Sequence, residues 1–309
     1  MNETTEPDLS SPVLLSVLVC IVSIILNILL LIVIIAFKLS RDSNRFLFIA
    51  ELSSATVVWT VAVLTREGLY LSGFDVYGSM NVCKTLLVIY VTGAHFDCMI
   101  LFAIAADQYL HVAHPLRYGD WMPRRRAVQV ACLLIIFTLI KMGITVGVWD
   151  DSIPCSYFYN IPKWHFVWSI FDLFVMMIGV STFQLLTVRI ARRQMRQLQK
   201  TGISQVSAET IRRHWRGVVT ISLVCLLIFS SWSIGQSLII WFITADINLT
   251  EPFFMKFTLV GTYLNYSRGI WTPIIYGIRS PEVRLVYAKI WNHFAKCKEN
   301  RVTEISTCT

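Results

Sequence analysis

Runs of apolar residues occur at about 12–37, 46–65, 85–106, 127–149, 165–188, 217–244 and 253–276, with short polar stretches between them. About 20 residues of helix rise ~30 Å, the thickness of a bilayer's hydrocarbon core, so each run predicts one membrane-spanning helix. The pattern therefore predicts an all-α membrane protein, a seven-transmembrane helix bundle over 12–276. The third and fifth runs carry isolated acids, and the seventh is the most polar. The first run is too long for a cleaved signal, and the tail before it, 1–11, is acidic where a signal is basic. After the seventh, "RSPEVRLVYAKIWNHFAKC" reads as an amphipathic membrane-surface helix over 277–296, with Val283, Val286, Ile290, Trp291 and Phe294 toward the lipid. A tail over 297–309 follows.

Charge refines this picture. Only 15% of residues are charged while 55% are apolar, too few polar groups to cover a water-soluble globule. The formal charge of +8 is segregated. Counting Lys, Arg, Asp and Glu, the segments read −3 over 1–11, +2 over 38–45, 0 over 66–84 and +3 over 110–126. They continue as −1 over 150–164, +7 over 189–216, −1 over 245–256 and +3 over 277–309. Every second segment is basic, which places the N-terminus outside and the C-terminus in the cytoplasm of a multi-pass plasma-membrane protein. A nucleic-acid surface would not be divided among patches separated by spans, so no nucleic-acid partner is expected, and the basic segments face anionic lipid.

The sequons at Asn2 and Asn248 fall on the outer side and are glycosylation candidates, and Cys297, just past the surface helix, is a palmitoylation candidate. Eight cysteines without a CxxC or Cys/His pattern give no metal site, and no cofactor is expected. Neither a G-x-S-x-G elbow nor an H-E-x-x-H helix is present, so an enzyme is disfavoured. No internal repeat or continuous polar path points to a transporter or channel.

The seven runs, the outside N-terminus, Cys83 with Cys155, and the segments "ADQYLHVAHPLRY" and "TPIIYGIRSPEVR" together resemble the rhodopsin-like family of G-protein-coupled receptors. The second segment is also similar to the corresponding stretch of odorant receptors. The resemblance implies a Cys83–Cys155 disulfide, a small-molecule ligand on the outer side and a heterotrimeric G protein inside. Asp107, Gln108 and Tyr109 stand where the family has Asp-Arg-Tyr, and Thr272, Pro273 and Tyr276 stand in its Asn-Pro-x-x-Tyr positions. Gln108 therefore replaces an arginine that pairs with the neighbouring acid, and a neutral amide cannot form that charge-assisted bond. Thr56 occupies the position of the family's sodium-binding aspartate, leaving a vacant sodium site.

Tyr90, Ala94, Asp97, Leu101, Ile104 and Gln108 recur at three and four residues and share one face of span three. Asp97 lies ~15 Å before Asp107, near mid-membrane, and Arg268 reaches similar depth in span seven. Intramembrane charges face a cavity or one another. An internal ion pair of Asp97 with Arg268, replacing the sodium arrangement, is the sharper expectation. A locally bonded or protonated Asp97 with Arg268 in a watery cavity is the other. Lys141 in span four either meets Asp172 in span five or snorkels to the interface, and Glu51 in span two is expected to find a polar partner, not identified by residue, on span three or four.

The expected ligand pocket is lined by Tyr90, Ala94, Asp172, Trp232, Gln236, Tyr263 and Tyr266. Amine receptors of the family carry an aspartate at the Tyr90 position, so a cationic amine is disfavoured and an apolar or aromatic small ligand preferred. The first expectation is thus a G-protein-coupled receptor driven by such a ligand or active constitutively. The second is a receptor-fold protein with weak or no coupling that acts through partner receptors.

Overall fold

The computed structural model describes residues 10–153, 155, 160–200, 219, 222, 263, 266–276, 280 and 282–289. Its helices are α1 (Ser10–Ala36), α2 (Leu39–Asp42), α3 (Asn44–Leu71), α4 (Met80–Ala113), α5 (Tyr118–Trp121), α6 (Arg124–Gly147) and α7 (Lys163–Lys200). Residues 266–276 and 282–289 are also helical. Five helices among the described residues are long and apolar enough to cross a membrane: Val13–Ala36, Asn44–Leu71, Met80–Ala113, Arg124–Gly147 and Lys163–Gln194. They coincide with the first five apolar runs. The sixth run lies outside the described residues apart from Val219 and Ser222, and the seventh is described at 263 and 266–276.

α3, α4 and α7 overrun the apolar runs that predicted them at both ends, because backbone hydrogen bonding does not stop where hydrocarbon ends. Local chemistry stops it instead. α4 ends before His114-Pro115, where the proline ring disfavours helical backbone in the residue ahead of it. α3 ends at Leu71, and two residues on Gly73 takes a φ of 79°, accessible to glycine without a Cβ clash. The Phe74 N–H then donates to Leu69 O and the Gly73 N–H to Tyr70 O, both at 3.0 Å, satisfying two terminal carbonyls of the helix.

Leu14, Leu18 and Ile25 on α1, Leu133 and Ile136 on α6, and Phe171 and Phe174 on α7 are all exposed. In water so broad an apolar surface would mark an interaction site; around a bundle it is the lipid-facing side. α4 is central, packed on α3, α6 and α7, while α3 packs on α1. Leu30, Phe48, Ile49, Leu52, Ile100 and Ile104 form the middle of the apolar core.

Two glycines set how closely helices approach. A Cβ on Gly93 would stand 2.7 Å from the Trp59 Cβ, so the glycine lets α3 press its indole onto α4. A Cβ on Gly269 would collide with Ser23 Oγ and stand 3.1 Å from Thr56 Cγ2. Gly269→Val is expected to destabilise the bundle by about 1–3 kcal/mol, the usual cost of overpacking, read as a lower thermal midpoint in lipid nanodiscs. An unchanged midpoint would show that span seven yields at this point.

The helix at 282–289 requires a correction. Its amphipathic pattern placed Val283 and Val286 toward lipid, yet they are 0% and 5% exposed and belong to the main core with Tyr276. Leu285 and Tyr287 face outward instead. An apolar stripe fits lipid and protein equally well, and the tether to Tyr276 brings the bundle within reach. Ile290, Trp291 and Phe294 lie outside the described residues.

Candidate functional site

The centre of the bundle holds a seam of polar and aromatic side chains. The helical period brings Asp97 to the face of α4 that meets Trp59, and Gly93, one turn earlier, permits the contact. The Trp59 Nε1–H donates to Asp97 Oδ2 at 3.0 Å. Arg268 Nη2 stands 3.2 Å from the same oxygen, and its guanidinium carbon lies 4.6 Å from the centre of the Trp59 ring. Both charged side chains are only 3% exposed. Asp97 and Arg268 are thus brought together, with an indole that donates to the anion and stacks beneath the cation.

Toward the disulfide end the seam continues through rings. Tyr90 meets Trp59 edge-on at 6.1 Å and Tyr266 at 6.3 Å. Arg66 on α3 donates to the Tyr266 hydroxyl at 2.7 Å and pairs with Glu67 at 2.5 Å. Tyr263 is hydrogen-bonded to Ser16 of α1. Ala94 is 2% exposed and packed in the apolar core. Asp172 faces α6, where Lys141 Nζ stands 2.8 Å from its Oδ2. Both carboxylate oxygens of Glu51 are buried and find no hydrogen-bond partner among the described residues. Trp232, Gln236, Asn2, Asn248 and Cys297 lie outside the described residues.

Below Arg268 the chain meets Pro273, which has no N–H for the carbonyl four residues back. That carbonyl belongs to Gly269, and Asn27 Nδ2 of α1 donates to it at 2.8 Å. The proline's missing bond is thereby replaced across helices, fixing span seven to span one beside Thr56, itself 4% exposed. The Thr272 hydroxyl bonds back to the Arg268 carbonyl at 3.2 Å, and Tyr276 is buried in the core.

At the end away from the disulfide, Asp107 Oδ1 accepts a 2.7 Å hydrogen bond from the Tyr118 hydroxyl on α5. Asn44 of α3 donates to the Tyr118 oxygen at 3.3 Å and to Met122 O at 2.7 Å. Burial and the adjacent Asp107 charge push the Tyr118 phenol above its ordinary range, so it stays an un-ionised donor. Gln108 Oε1 makes no hydrogen bond among the described residues. Tyr109 packs on Phe183 at 5.5 Å.

At the opposite end, Cys83 and Cys155 form a disulfide that fastens the loop after α6 to the start of α4. Lys84 and Asp151, 3.2 Å apart, flank it. The Asp150 N–H donates to Asn160 O at 2.7 Å and closes the loop's base. The Ser152 hydroxyl and N–H both donate to the Asp150 carboxylate and hold it below the usual carboxylate range.

The family described as "7 transmembrane receptor (rhodopsin family)" matches this chain over residues 26–276. The chain belongs to that family. It is 26% identical over 302 residues to Dopamine receptor 1 of Drosophila melanogaster, a match covering 82% of this chain and 56% of that receptor. It is 23% identical over 243 residues to Melanocortin receptor 5 of Mus musculus, covering 78% of this chain and 70% of the relative. Olfactory receptor 10J1 of Homo sapiens is 28% identical over 120 residues, covering 38% of each. The matches thus span about half of the Drosophila receptor and less of the olfactory one. The family consists of multi-pass membrane receptors rather than enzymes, and G proteins are its general partners.

Three contributors to this receptor's polar contacts are not singled out by the sequence: Trp59, Arg66 and Tyr118. Trp59 carries a usable signal, since a buried indole N–H in hydrocarbon requires an acceptor. Tyr118 carries none, because its partner is fixed by how the loop after α4 folds back.

Proposed function

We propose that this receptor sits in the plasma membrane with its N-terminus outside and passes the state of its outer half to a heterotrimeric G protein. The observation that supports this best is the Asp107–Tyr118 bond. The family's arginine is replaced by Gln108, and the acid it would hold is engaged by the phenol of the following loop instead. A hydrogen bond to a charged partner contributes about 1.5–3 kcal/mol. That is enough to move a two-state population by roughly an order of magnitude or more. Tyr118 in this reading is the resting restraint on the cytoplasmic end of α4.

Tyr118→Phe keeps the ring and removes the donor. Basal G-protein dissociation in cells expressing the full chain is expected to rise several-fold at equal surface display, with every G-protein class assayed. Unchanged basal signal would remove Tyr118 from this role. Silence of both forms, well displayed, would favour the second reading, a receptor-fold protein acting through partner receptors, for which the loss of the arginine at Gln108 already speaks.

For the ligand, the outer half is built from rings packed on one another, Tyr90 against Trp59 and Tyr266, rather than around a free carboxylate, which suits an apolar or aromatic small molecule. The Drosophila relative is named for dopamine, an amine. That specificity does not carry over on these residues, because Tyr90 fills the position at which amine receptors carry their acid.

A further inference from the structure

The ammonium group of Lys141 is enclosed where α4, α6 and α7 meet. Its Nζ lies 2.8 Å from Asp172 Oδ2, and 2.9 and 3.1 Å from Nδ1 and Nε2 of His95. The Trp168 ring, one turn before Asp172, stands 5.3 Å from the same nitrogen. The lysine side chain is 4% exposed and the aspartate 15%. His95 Nδ1 is itself 3.5 Å from Asp172 Oδ2. Lys141 Nζ lies against the imidazole, at nearly equal distance from its two nitrogens, while Nδ1 faces the carboxylate. A carboxylate, an imidazole ring and an indole face therefore converge on one nitrogen, a combination suited to holding an ammonium ion.

The apolar stem of Lys141 needs no such partners, and a lysine near a helix end in lipid can carry its charge to the interface. Here the charge turns inward and is matched on three sides by two other helices. We infer that Asp172, His95 and Trp168 build a cation site that Lys141 fills as a tethered ammonium, and that vacating it creates a site for a small primary alkylammonium ion. A tethered group surrenders no translational freedom on binding and has a high effective concentration, so free amines do not displace it. The consequence for specificity is that Asp172, the acid among the pocket candidates, is unavailable to a cationic ligand while Lys141 is in place.

The test is chemical rescue. Lys141→Ala removes three methylenes and the ammonium, a void matched by n-propylammonium. In full-length K141A receptor in lipid nanodiscs, the thermal midpoint is expected to rise saturably with n-propylammonium, less with methylammonium, and not with tetramethylammonium, which has no N–H to donate. The wild-type midpoint is expected to stay flat, and Asp172→Asn on the K141A background is expected to abolish the rise. An equal rise in wild type or in K141A/D172N, or no rise in K141A, overturns the proposal. Where K141A is too unstable to purify, surface display in cells grown with n-propylammonium is the second readout. Display restored in K141A but not in K141A/D172N supports the site, and display indifferent to the amine overturns it.

Discussion

Asp97→Asn and Arg268→Gln are each expected to remove most of the receptor from the cell surface, and the double variant is expected to recover a substantial part of it. The two groups share one 3.2 Å contact and are 3% exposed, so deleting either leaves the other charge in a nearly water-free interior. Stranding one member of a buried pair costs about 3–5 kcal/mol. Total stabilities are only about 5–15 kcal/mol, so either change alone consumes a large share. The two singles should not be equal. In Arg268→Gln the stranded carboxyl group can take up a proton and still accept from Trp59. In Asp97→Asn the guanidinium loses its carboxylate counter-ion and cannot shed its charge, although the indole stack persists. Asp97→Asn should therefore be the worse single. Surface display and thermal midpoint of the three variants give the interaction energy directly, and strictly additive losses would show that the contact contributes nothing.

Loss of the Cys83–Cys155 bridge is expected to have the next largest effect. The bond joins positions 72 residues apart, and closing such a loop removes chain entropy from the unfolded state worth about 4 kcal/mol. Part of that loop lies in α4 and α6, which lipid holds as helices even when their packing is lost, so the realised value should fall within the usual 2–5 kcal/mol. Cys83→Ala/Cys155→Ala should lower the thermal midpoint in nanodiscs, and a reductant should lower the wild type to the same value. A wild-type midpoint indifferent to reductant, with the thiols shown to be free, would contradict this.

Both predictions concern features that the sequence made visible to different degrees. Asp97 and Arg268 were conspicuous because charge is rare in an apolar run; that they meet each other, with Trp59 as third member, required the crossing of α3 and α4 at Gly93. Lys141 was equally conspicuous, but snorkelling and pairing with Asp172 have the same sequence signature, and only the inward turn of the side chain separates them. Thr92, Thr138, Thr145 and Thr187 show the opposite case: they look like polar candidates, yet each hydroxyl bonds to the carbonyl four residues back in its own helix. Val283 and Val286 misled for a simpler reason, since a two-sided choice between lipid and protein leaves no trace in an apolar stripe.

The order of apolar runs, the alternation of charge between them and the spacing of the family motifs were set by the sequence alone. Those properties depend on hydrocarbon thickness, backbone hydrogen bonding and the cost of placing charge in lipid, which act on each segment separately. Which charge meets which, where Tyr118 reaches, and which side the last helix presents were decided only in three dimensions. Within a membrane the apolar side chains gain almost nothing by choosing protein over lipid, so partners are selected by close approach at small residues and by the few polar groups that must be satisfied.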